Sequence, residues 1–186
     1  MSVYKTEAID KIVAIDNNHA QLVEALVTSH KPRKVLELGF GAGGSCRAIQ
    51  RGLAYNGVPY EFDLVDCWYD FNGHPPPEIQ KDLYKGINVI TSTEVDFVNS
   101  CSKKYDFIFS DADHFRTQEW FVHVYENILN RNGILIYHDV TNTRLFPNLL
   151  QIYEDTIRNG YHYMLFDRRS RSDEACERGL LVIFKH

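Results

Sequence analysis

The stretch of sequence that decides the fold is KVLELGFGAGG, residues Lys34 to Gly44. It opens with an apolar run that is typical of a short buried strand, and glycines then crowd its second half. Glycine lets the backbone turn sharply and approach a ligand closely. The following segment, CRAIQRGLAYNG, is typical of a helix that ends near Gly57. The stretch therefore predicts a strand, a ligand-binding loop and a helix in succession.

The same alternation of apolar strands and helices continues along the chain. Further strands are predicted at EFDLVDCW, NVITS, YDFIFSD and GILIYHD, and YHYMLF and GLLVIFK can pair as a hairpin at a sheet edge. Helical spacing occurs before the first strand, within residues 9–13 and 22–27. It recurs from Phe121 to Leu129, and Asn132-Gly133 is expected to cap that helix.

Near-continuous apolar strands separated by helices indicate a parallel sheet covered on both faces. We predict an α/β fold with a doubly wound, mostly parallel seven-stranded sheet and a C-terminal antiparallel hairpin. Residues 1–186 form a single domain in this prediction, with an N-terminal helical region at 1–33 and a Rossmann-like core at 34–186. Ligands of such sheets bind at the carboxyl ends of the strands.

Composition narrows the class of protein. With 186 residues, 44% hydrophobic and 24% charged, the chain suits one globular domain. A net charge of −5 argues against a nucleic-acid partner. No apolar run is long enough to cross a bilayer, and MSVYKTEAIDKI lacks the apolar block of a signal peptide. We therefore expect no membrane partner. The four cysteines are scattered and include no C-x-x-C pair: Cys46, Cys67, Cys101 and Cys176. We expect them to be reduced thiols in a cytoplasmic protein.

The glycine loop permits two kinds of nucleoside ligand. Gly39, Gly41 and Gly44 satisfy G-x-G-x-x-G, so an NAD-linked oxidoreductase stays open as an alternative. Glu37 lies two residues before the first glycine, where its charge would repel a diphosphate but not a cationic sulfonium. Asp66, at the end of the second strand, would accept hydrogen bonds from ribose hydroxyls with either ligand.

Two motifs resemble a known family. ELGFGAGG resembles the first motif of the class I S-adenosylmethionine-dependent methyltransferases. YDFIFSDADHF, GILIYHDV and the closing GLLVIF are similar to the small O-methyltransferases that include sugar and macrolide enzymes, and this resemblance runs from about Val35 to the C-terminus. It implies methylation of a small-molecule hydroxyl with S-adenosylmethionine as the cofactor.

The resemblance and the predicted fold together suggest which residues contact the cofactor. Ser92 and Thr93 follow the third strand, where the adenine is usually bound, and Trp68 is expected either to flank the cofactor or to pack in the core. The full predicted set is Glu37, Gly39, Phe40, Gly41, Gly43, Ser45, Asp66, Trp68, Ser92, Thr93 and Asp111.

The resemblance also implies a divalent metal, held by Asp111, His138 and Asp139. Mg²⁺ would suit the two carboxylates together with substrate hydroxyls. His138 departs from the family pattern, because an imidazole suits Mn²⁺, Fe²⁺ or Zn²⁺ better, or does not bind the ion at all. Asp113 and His114 are the candidate general bases, since a histidine titrates near neutral pH. The other histidines, His19 among them, receive no predicted role.

Several alternatives stay open at this point. A non-catalytic methyltransferase-like binding module would also explain the cofactor motifs. The NAD-linked oxidoreductase leaves Glu37 and the D-x-D-H element without a role. Sugar, polyketide and catechol-like hydroxyls are all acceptable acceptors, and the helices before the first strand could supply a surface for homo-oligomerisation.

Overall fold

The computed structural model describes residues 15, 17–69, 72–75, 84–143, 145–169 and 177–186. The strands are β1 (Lys34–Leu38), β2 (Glu61–Asp66), β3 (Ile87–Thr91), β4 (Tyr105–Ser110), β5 (Leu129–Tyr137), β6 (His162–Arg169) and β7 (Glu177–Phe184). The α-helices are α1 (Asn17–His30), α2 (Gly44–Asn56), α3 (Glu94–Ser100), α4 (Phe121–His123) and α5 (Leu150–Arg158). The helix predicted within residues 9–13 lies outside the described residues.

The strands form one seven-stranded sheet in the order β3-β2-β1-β4-β5-β7-β6. β1 to β5 pair in parallel, and β7 pairs antiparallel with both β5 and β6. The predicted doubly wound sheet with a C-terminal hairpin is therefore confirmed. The chain leaves β1 toward β2 and returns on its other side to β4, so the topological switch point lies between β1 and β4, where ligands of this architecture bind.

Each face of the sheet is covered by its own hydrophobic layer. Val35 and Phe62 pack with Val27 of α1 on one face. Leu36 and Ile108, whose side chains alternate with the first set, belong to the opposite layer, together with residues of α3 and α4. Successive side chains of a strand point to opposite faces, so burial on both faces explains the near-continuous apolar strands. Packing on both faces holds the strands in place, and because β1 to β5 are parallel, their carboxyl ends lie at one edge of the sheet.

The helix predicted after β4, from Phe121 to Leu129, is present to within one residue, but its second part is π-helical (Val124–Ile128). A π-helical turn follows α4, and β5 already begins at Leu129, so Asn132-Gly133 does not cap a helix. Asn132 instead adopts a φ of 63° inside β5, beside a register shift between Tyr105 and Phe107 of β4. Asparagine tolerates the left-handed region, so the same Asn-Gly pair serves a strand irregularity equally well.

Candidate functional site

A cavity of about 410 Å³ opens where the ends of β1, β2 and β4 meet. It lies at the switch point of the sheet, as expected for a ligand site of this architecture. The predicted site residues that line it are Gly39, Gly41, Asp66, Ser92, Thr93, Asp111, Asp113 and His114. The structure thus brings together residues that are separated by up to 75 positions in the chain (114 − 39).

Gly39 is the point at which the glycine loop crosses the neighbouring strand ends. Its φ is +89°, and a Cβ at this position would lie 2.5 Å from the carbonyl oxygen of Asp111. Its amide donates to the carbonyl oxygen of Val65 at 2.8 Å, which ties the loop to the tip of β2. Only glycine fits both the backbone angle and the space. The backbone of the loop at Gly39 and Gly41 borders the cavity.

The Asp66 carboxylate is held in a fixed orientation at the cavity wall. One oxygen accepts a hydrogen bond from the amide of Phe40 at 2.7 Å, and the other accepts from the amide of Trp68. A carboxylate oxygen has two lone pairs, so each oxygen can accept a further hydrogen bond from a ligand hydroxyl. Asp66 therefore joins the glycine loop to β2 and presents acceptors to the cavity.

The side chains of Phe40 and Trp68 lie behind the cavity wall. Trp68 is fully buried, its indole N–H donates to the hydroxyl of Thr91 at 3.0 Å, and its ring packs against Phe40 at 5.8 Å. The core-packing alternative for Trp68 is thus the one the structure supports, because its φ of 58° turns the ring inward. Tyr69, the next residue, is 87% exposed and lines the cavity instead. Gly43 also packs inward, since a Cβ there would lie 2.6 Å from the Phe40 ring.

Glu37 is buried between β1 and α2 rather than exposed at the cavity. Its Oε1 accepts a hydrogen bond from the Ser45 hydroxyl at 2.5 Å. Burial raises the pKa of Glu37 to about 8, against the opposing effect of hydrogen bonds from Ser45 and Cys46. The carboxyl group is therefore mainly protonated at neutral pH, and the charge argument against a diphosphate is not supported. The hydrogen bond between Glu37 and Ser45 joins β1 to α2, the two elements that flank the glycine loop.

The buried Glu37 makes the stability of the fold depend on pH. Its pKa is about 8 in the folded chain against 4.5 for the ordinary group, so the folded state retains a proton that the unfolded state loses between these values. We expect the free energy of unfolding to fall as pH rises from 5 to 8, by roughly 3 kcal/mol from this group. Glu37→Gln, which keeps the acceptor for Ser45, should remove this dependence. Thermal unfolding of both proteins between about pH 5 and 9 tests this, and parallel pH profiles would contradict it.

Asp111, His138 and Asp139 form a cluster at the ends of β4 and β5. Each offers a ligand atom, and these atoms lie within 4.8 Å of one another. His138 Nδ1 is 3.3 Å from Asp111 Oδ2 and 3.5 Å from Asp139 Oδ1. Within the described part of the chain, Asp111 Oδ1, His138 Nδ1 and Asp139 Oδ1 are buried and make no regular hydrogen bond, although an ionisable neighbour lies within 4.0 Å of each. Buried, converging donors of this kind fit a divalent cation.

His114 closes the same cluster from the cavity side. Its Nδ1 lies 3.1 Å from the carbonyl oxygen of Ala112, and its Nε2 lies 2.9 Å from Asp111 Oδ1 and 3.4 Å from Asp139 Oδ2. Burial lowers the pKa of His114, but Asp111 and Asp139 outweigh this effect and raise it to about 10. His138 and His114 in turn hold the pKa of Asp111 well below its usual range, although burial opposes them. In this arrangement His114 is an imidazolium at neutral pH, contrary to the near-neutral titration expected from the sequence.

Asp113 lines the cavity, yet its carboxylate is engaged with the backbone. Asp113 Oδ1 accepts hydrogen bonds from the amides of Phe115 at 3.1 Å and Arg116 at 3.2 Å. This is the pattern of an aspartate that stabilises a turn. Asp113 therefore shapes the loop that carries His114. Of the two candidate bases, only His114 places a side-chain nitrogen, Nε2, beside the carboxylates of the cluster.

Comparison with known proteins identifies the family. A family profile described as a methyltransferase domain matches residues 36–140, more than half of the chain. The chain belongs to this methyltransferase family. The matched segment spans every predicted site residue, from Glu37 to Asp139, and the suspected family is confirmed.

Solved methyltransferase structures share the fold at low sequence identity. An O-methyltransferase from Bacillus cereus in complex with SAH has a TM-score of 0.74 and 17% identity over 97% of this chain and 88% of that one. The O-methyltransferase TomG from Streptomyces achromogenes, in complex with SAM, has a TM-score of 0.69 and 13% identity over 100% and 93% of the two chains. SAH-bound PaMTH1 from Podospora anserina has a TM-score of 0.65 and 15% identity over 97% and 86%. No curated protein sequence matches the chain.

Glu94 lines the cavity of this methyltransferase and was not among the predicted site residues. It is buried at the start of α3, where its carboxylate accepts hydrogen bonds from Ser110 Oγ at 3.1 Å, the Asp113 amide at 3.1 Å and Thr117 Oγ1 at 2.8 Å. Burial raises the pKa of Glu94 in spite of these hydrogen bonds. Glu94 lines the cavity and anchors the loop after β4. Its position directly after Ser92 and Thr93 was the available sequence signal.

His19 of α1 is the second residue that was missed. Its Nδ1 lies 3.3 Å from His138 Nε2, across 119 positions of the chain. Local sequence patterns carry no information about such a contact.

Within the described ranges, no helix of this methyltransferase has the length and apolar character needed to span a bilayer.

Proposed function

We propose that this methyltransferase uses S-adenosylmethionine to methylate a hydroxyl group of a small molecule, with a divalent metal bound beside the acceptor. One observation carries the proposal: the glycine loop, Asp66, Asp111 and His114 border one cavity of about 410 Å³ in a chain of this family, and His138 and Asp139 lie beside Asp111. A cytoplasmic location and homo-oligomerisation stay predictions.

The cofactor-binding half of the cavity consists of the glycine loop and the tips of β2 and β3. The backbone at Gly39 and Gly41 would lie against the amino-acid part of the cofactor, Asp66 would accept hydrogen bonds from its ribose hydroxyls, and the Ser92–Thr93 backbone would border its adenine. S-adenosylmethionine supplies a methyl group on a sulfonium: the acceptor oxygen forms its bond to this carbon as the carbon–sulfur bond breaks, and the hydroxyl proton passes to a base. The protein contributes alignment and exclusion of water.

The reacting half of the cavity is bordered by Asp111 and His114, and the other two candidate metal ligands lie directly beside Asp111. Asp111, His138 and Asp139 would hold the ion, since their donor atoms converge and are buried. A bound divalent ion would supply Lewis acidity, lowering the pKa of an acceptor hydroxyl that it contacts.

We propose His114 as the base, because its Nε2 lies beside the metal cluster at the cavity wall. Asp111 and Asp139 are the cause of its raised pKa, so a cation that compensates their charge would bring the pKa of His114 down again. His114 could then accept the hydroxyl proton. Ala112 would hold the ring in place through its carbonyl oxygen.

Equilibrium titration with S-adenosylhomocysteine and with NADH tests the cofactor assignment. We expect S-adenosylhomocysteine to bind and NADH not to bind at the same concentrations. Asp66→Ala should weaken S-adenosylhomocysteine by at least about tenfold, since it removes the acceptor for the ribose hydroxyls and the anchor of the loop. Preferential binding of NADH would overturn the proposal in favour of an oxidoreductase.

His114→Gln tests the proposed base. General-base catalysis contributes about 10²- to 10⁴-fold, so we expect kcat to fall by at least about 10²-fold. Affinity for S-adenosylhomocysteine should change little. His123→Gln is the matched control, because His123 is exposed on α4 and faces Asn127 rather than the cavity. Equal turnover of the two variants with any accepted hydroxyl substrate would remove His114 from the mechanism.

A binding module without turnover is the second candidate. The observation that favours it is the ion pairing of His114 with Asp111 and Asp139, which occupies the base in the absence of a cation. S-adenosylhomocysteine binding without methyl transfer, across a panel of phenols, sugars and hydroxylated polyketides with each of Mg²⁺, Mn²⁺ and Zn²⁺, would support this candidate.

A further inference from the structure

His138 is held between carboxylates on one side and a second histidine on the other. Its Nδ1 faces Asp111 and Asp139, and its Nε2 lies 3.3 Å from Nδ1 of His19. The two imidazole rings meet edge to face, with an interplanar angle of 85°. Both histidines are 3% exposed, so neither ring reorients without disturbing the packing of α1 against the strand ends.

The contact with His19 determines which nitrogen of His138 can bind a cation. A neutral imidazole has one donor and one acceptor nitrogen. A lone pair on His138 Nδ1 requires the proton on Nε2, and that proton requires an acceptor. His19 Nδ1 is placed to accept it. Partners of this kind commonly fix the tautomer and the ring orientation of a metal-binding histidine.

We propose that His19 is a positioning residue that holds His138 with its Nδ1 lone pair toward Asp111 and Asp139, and that the resulting centre selects a transition-metal ion over Mg²⁺. This inference rests on the proposed function, because it concerns the metal of the same site. Mg²⁺ prefers oxygen ligands, whereas imidazole suits Fe²⁺ and Zn²⁺; Mn²⁺, the first-row ion with the lowest affinity for such sites, also binds oxygen and is therefore the most demanding probe of the contribution of His138.

The charge of Arg178 points to the same preference. Arg178 Nε lies 3.9 Å from Asp139 Oδ1. Its guanidinium offsets part of the negative charge on which Mg²⁺ binding by carboxylates depends. A transition-metal ion binds nitrogen more strongly than Mg²⁺ does, so the bond to His138 still adds to the affinity of the site for that ion. Selectivity therefore depends on how well His138 is oriented.

Metal titrations of the purified full chain test the role of His19 without any turnover. Free Mn²⁺ is counted by electron paramagnetic resonance, and Mg²⁺ binding is measured by calorimetry. His19→Leu removes the acceptor and should weaken Mn²⁺ by about 10- to 100-fold, the usual effect of removing a partner of a metal ligand. His19→Asn places an amide oxygen near the position of Nδ1 and should restore most of the affinity. His30→Leu is the matched control, because His30 is half-buried at the opposite end of the same helix, away from His138.

Two further variants separate the positioning role from folding stability and test the metal preference. His19→Gln keeps a buried amide but places its oxygen one bond farther from the backbone, so it should bind Mn²⁺ as poorly as His19→Leu while unfolding at a temperature close to that of His19→Asn. His138→Asp makes the cluster all-oxygen and should lower the Mn²⁺ to Mg²⁺ affinity ratio by at least about tenfold.

Two results would overturn the inference: equal affinities of the wild type for Mn²⁺ and Mg²⁺, or Mn²⁺ affinity that is unchanged in His19→Leu. A wild-type protein that binds S-adenosylhomocysteine but no ion also overturns it, and leaves the methyltransferase proposal without its metal. A protein that binds Mn²⁺ with the predicted His19 dependence but no S-adenosylhomocysteine would instead overturn the proposed function.

Discussion

Gly39→Ala is expected to weaken the binding of S-adenosylhomocysteine and to destabilise the fold. The new Cβ would lie 2.5 Å from the carbonyl oxygen and 2.8 Å from the carbonyl carbon of Asp111, and both are backbone atoms that cannot swing away. The φ of +89° adds backbone strain for any residue with a Cβ. We expect a loss of affinity of more than about tenfold and a destabilisation of about 2–4 kcal/mol. Calorimetric titration and thermal unfolding measure the two effects.

Gly41→Ala is the matched control for this substitution. Gly41 also has a positive φ, +51°, but a Cβ there would meet nothing within 4 Å. Its cost should be limited to the strain of the left-handed conformation, about 1–2 kcal/mol, and the tips of β1 and β4 should stay in place. Equal effects of Gly39→Ala and Gly41→Ala on S-adenosylhomocysteine affinity would show that the contact between the loop and Asp111 is unimportant.

The fold and the location of the site were predictable because the signals are strong and local. The apolar runs of β1, β2, β4 and β5 are short and are followed by glycines or carboxylates, so both the strand and its end are visible in the sequence. Parallel strands deliver their carboxyl ends to one edge. This rule predicts that the residues at the strand ends, Asp66, Asp111, His138 and Asp139, gather around one crevice. Asp66 and Asp111 line the cavity, whereas His138 and Asp139 lie beside Asp111 and do not line it.

The protonation of the site could not be predicted, because it depends on burial. Glu37 was expected to carry a charge, yet its complete burial raises its pKa to about 8. His114 was expected to titrate near neutral pH, yet the two carboxylates beside it raise its pKa to about 10. Sequence spacing gives the residue types at a strand end, whereas a pKa depends on distances of a few ångströms between groups from separate strands.

Side-chain orientation was the other source of difference. Trp68 was expected either to flank the cofactor or to pack in the core. Its ring is fully buried, whereas the adjacent Tyr69 lines the cavity. The pairing of His19 with His138 joins α1 to the end of β5, and neither position follows a pattern that distinguishes it from an ordinary buried residue. Such contacts are visible only in three dimensions.

Asp111→Asn should have the largest effect on turnover of any single substitution at the site. Asp111 faces His138 and His114, and its carboxylate is one of the three donors of the candidate metal centre. An amide keeps the shape but removes the charge that would hold the ion. We expect kcat/KM to fall by about 10³-fold, which corresponds to about 4 kcal/mol of transition-state stabilisation.

Binding of the cofactor should respond differently from turnover in this variant. The glycine loop contacts the backbone of Asp111, so a change confined to the side chain leaves the packing at Gly39 intact. We therefore expect S-adenosylhomocysteine affinity to stay within about threefold of the wild type while Mn²⁺ affinity falls by more than about tenfold. Asp155→Asn on α5, where Asp155 pairs with Arg158, should change none of these quantities. Parallel losses of cofactor affinity and turnover would show instead that Asp111 acts mainly through the cofactor, and would separate the two roles that the sequence assigned to it.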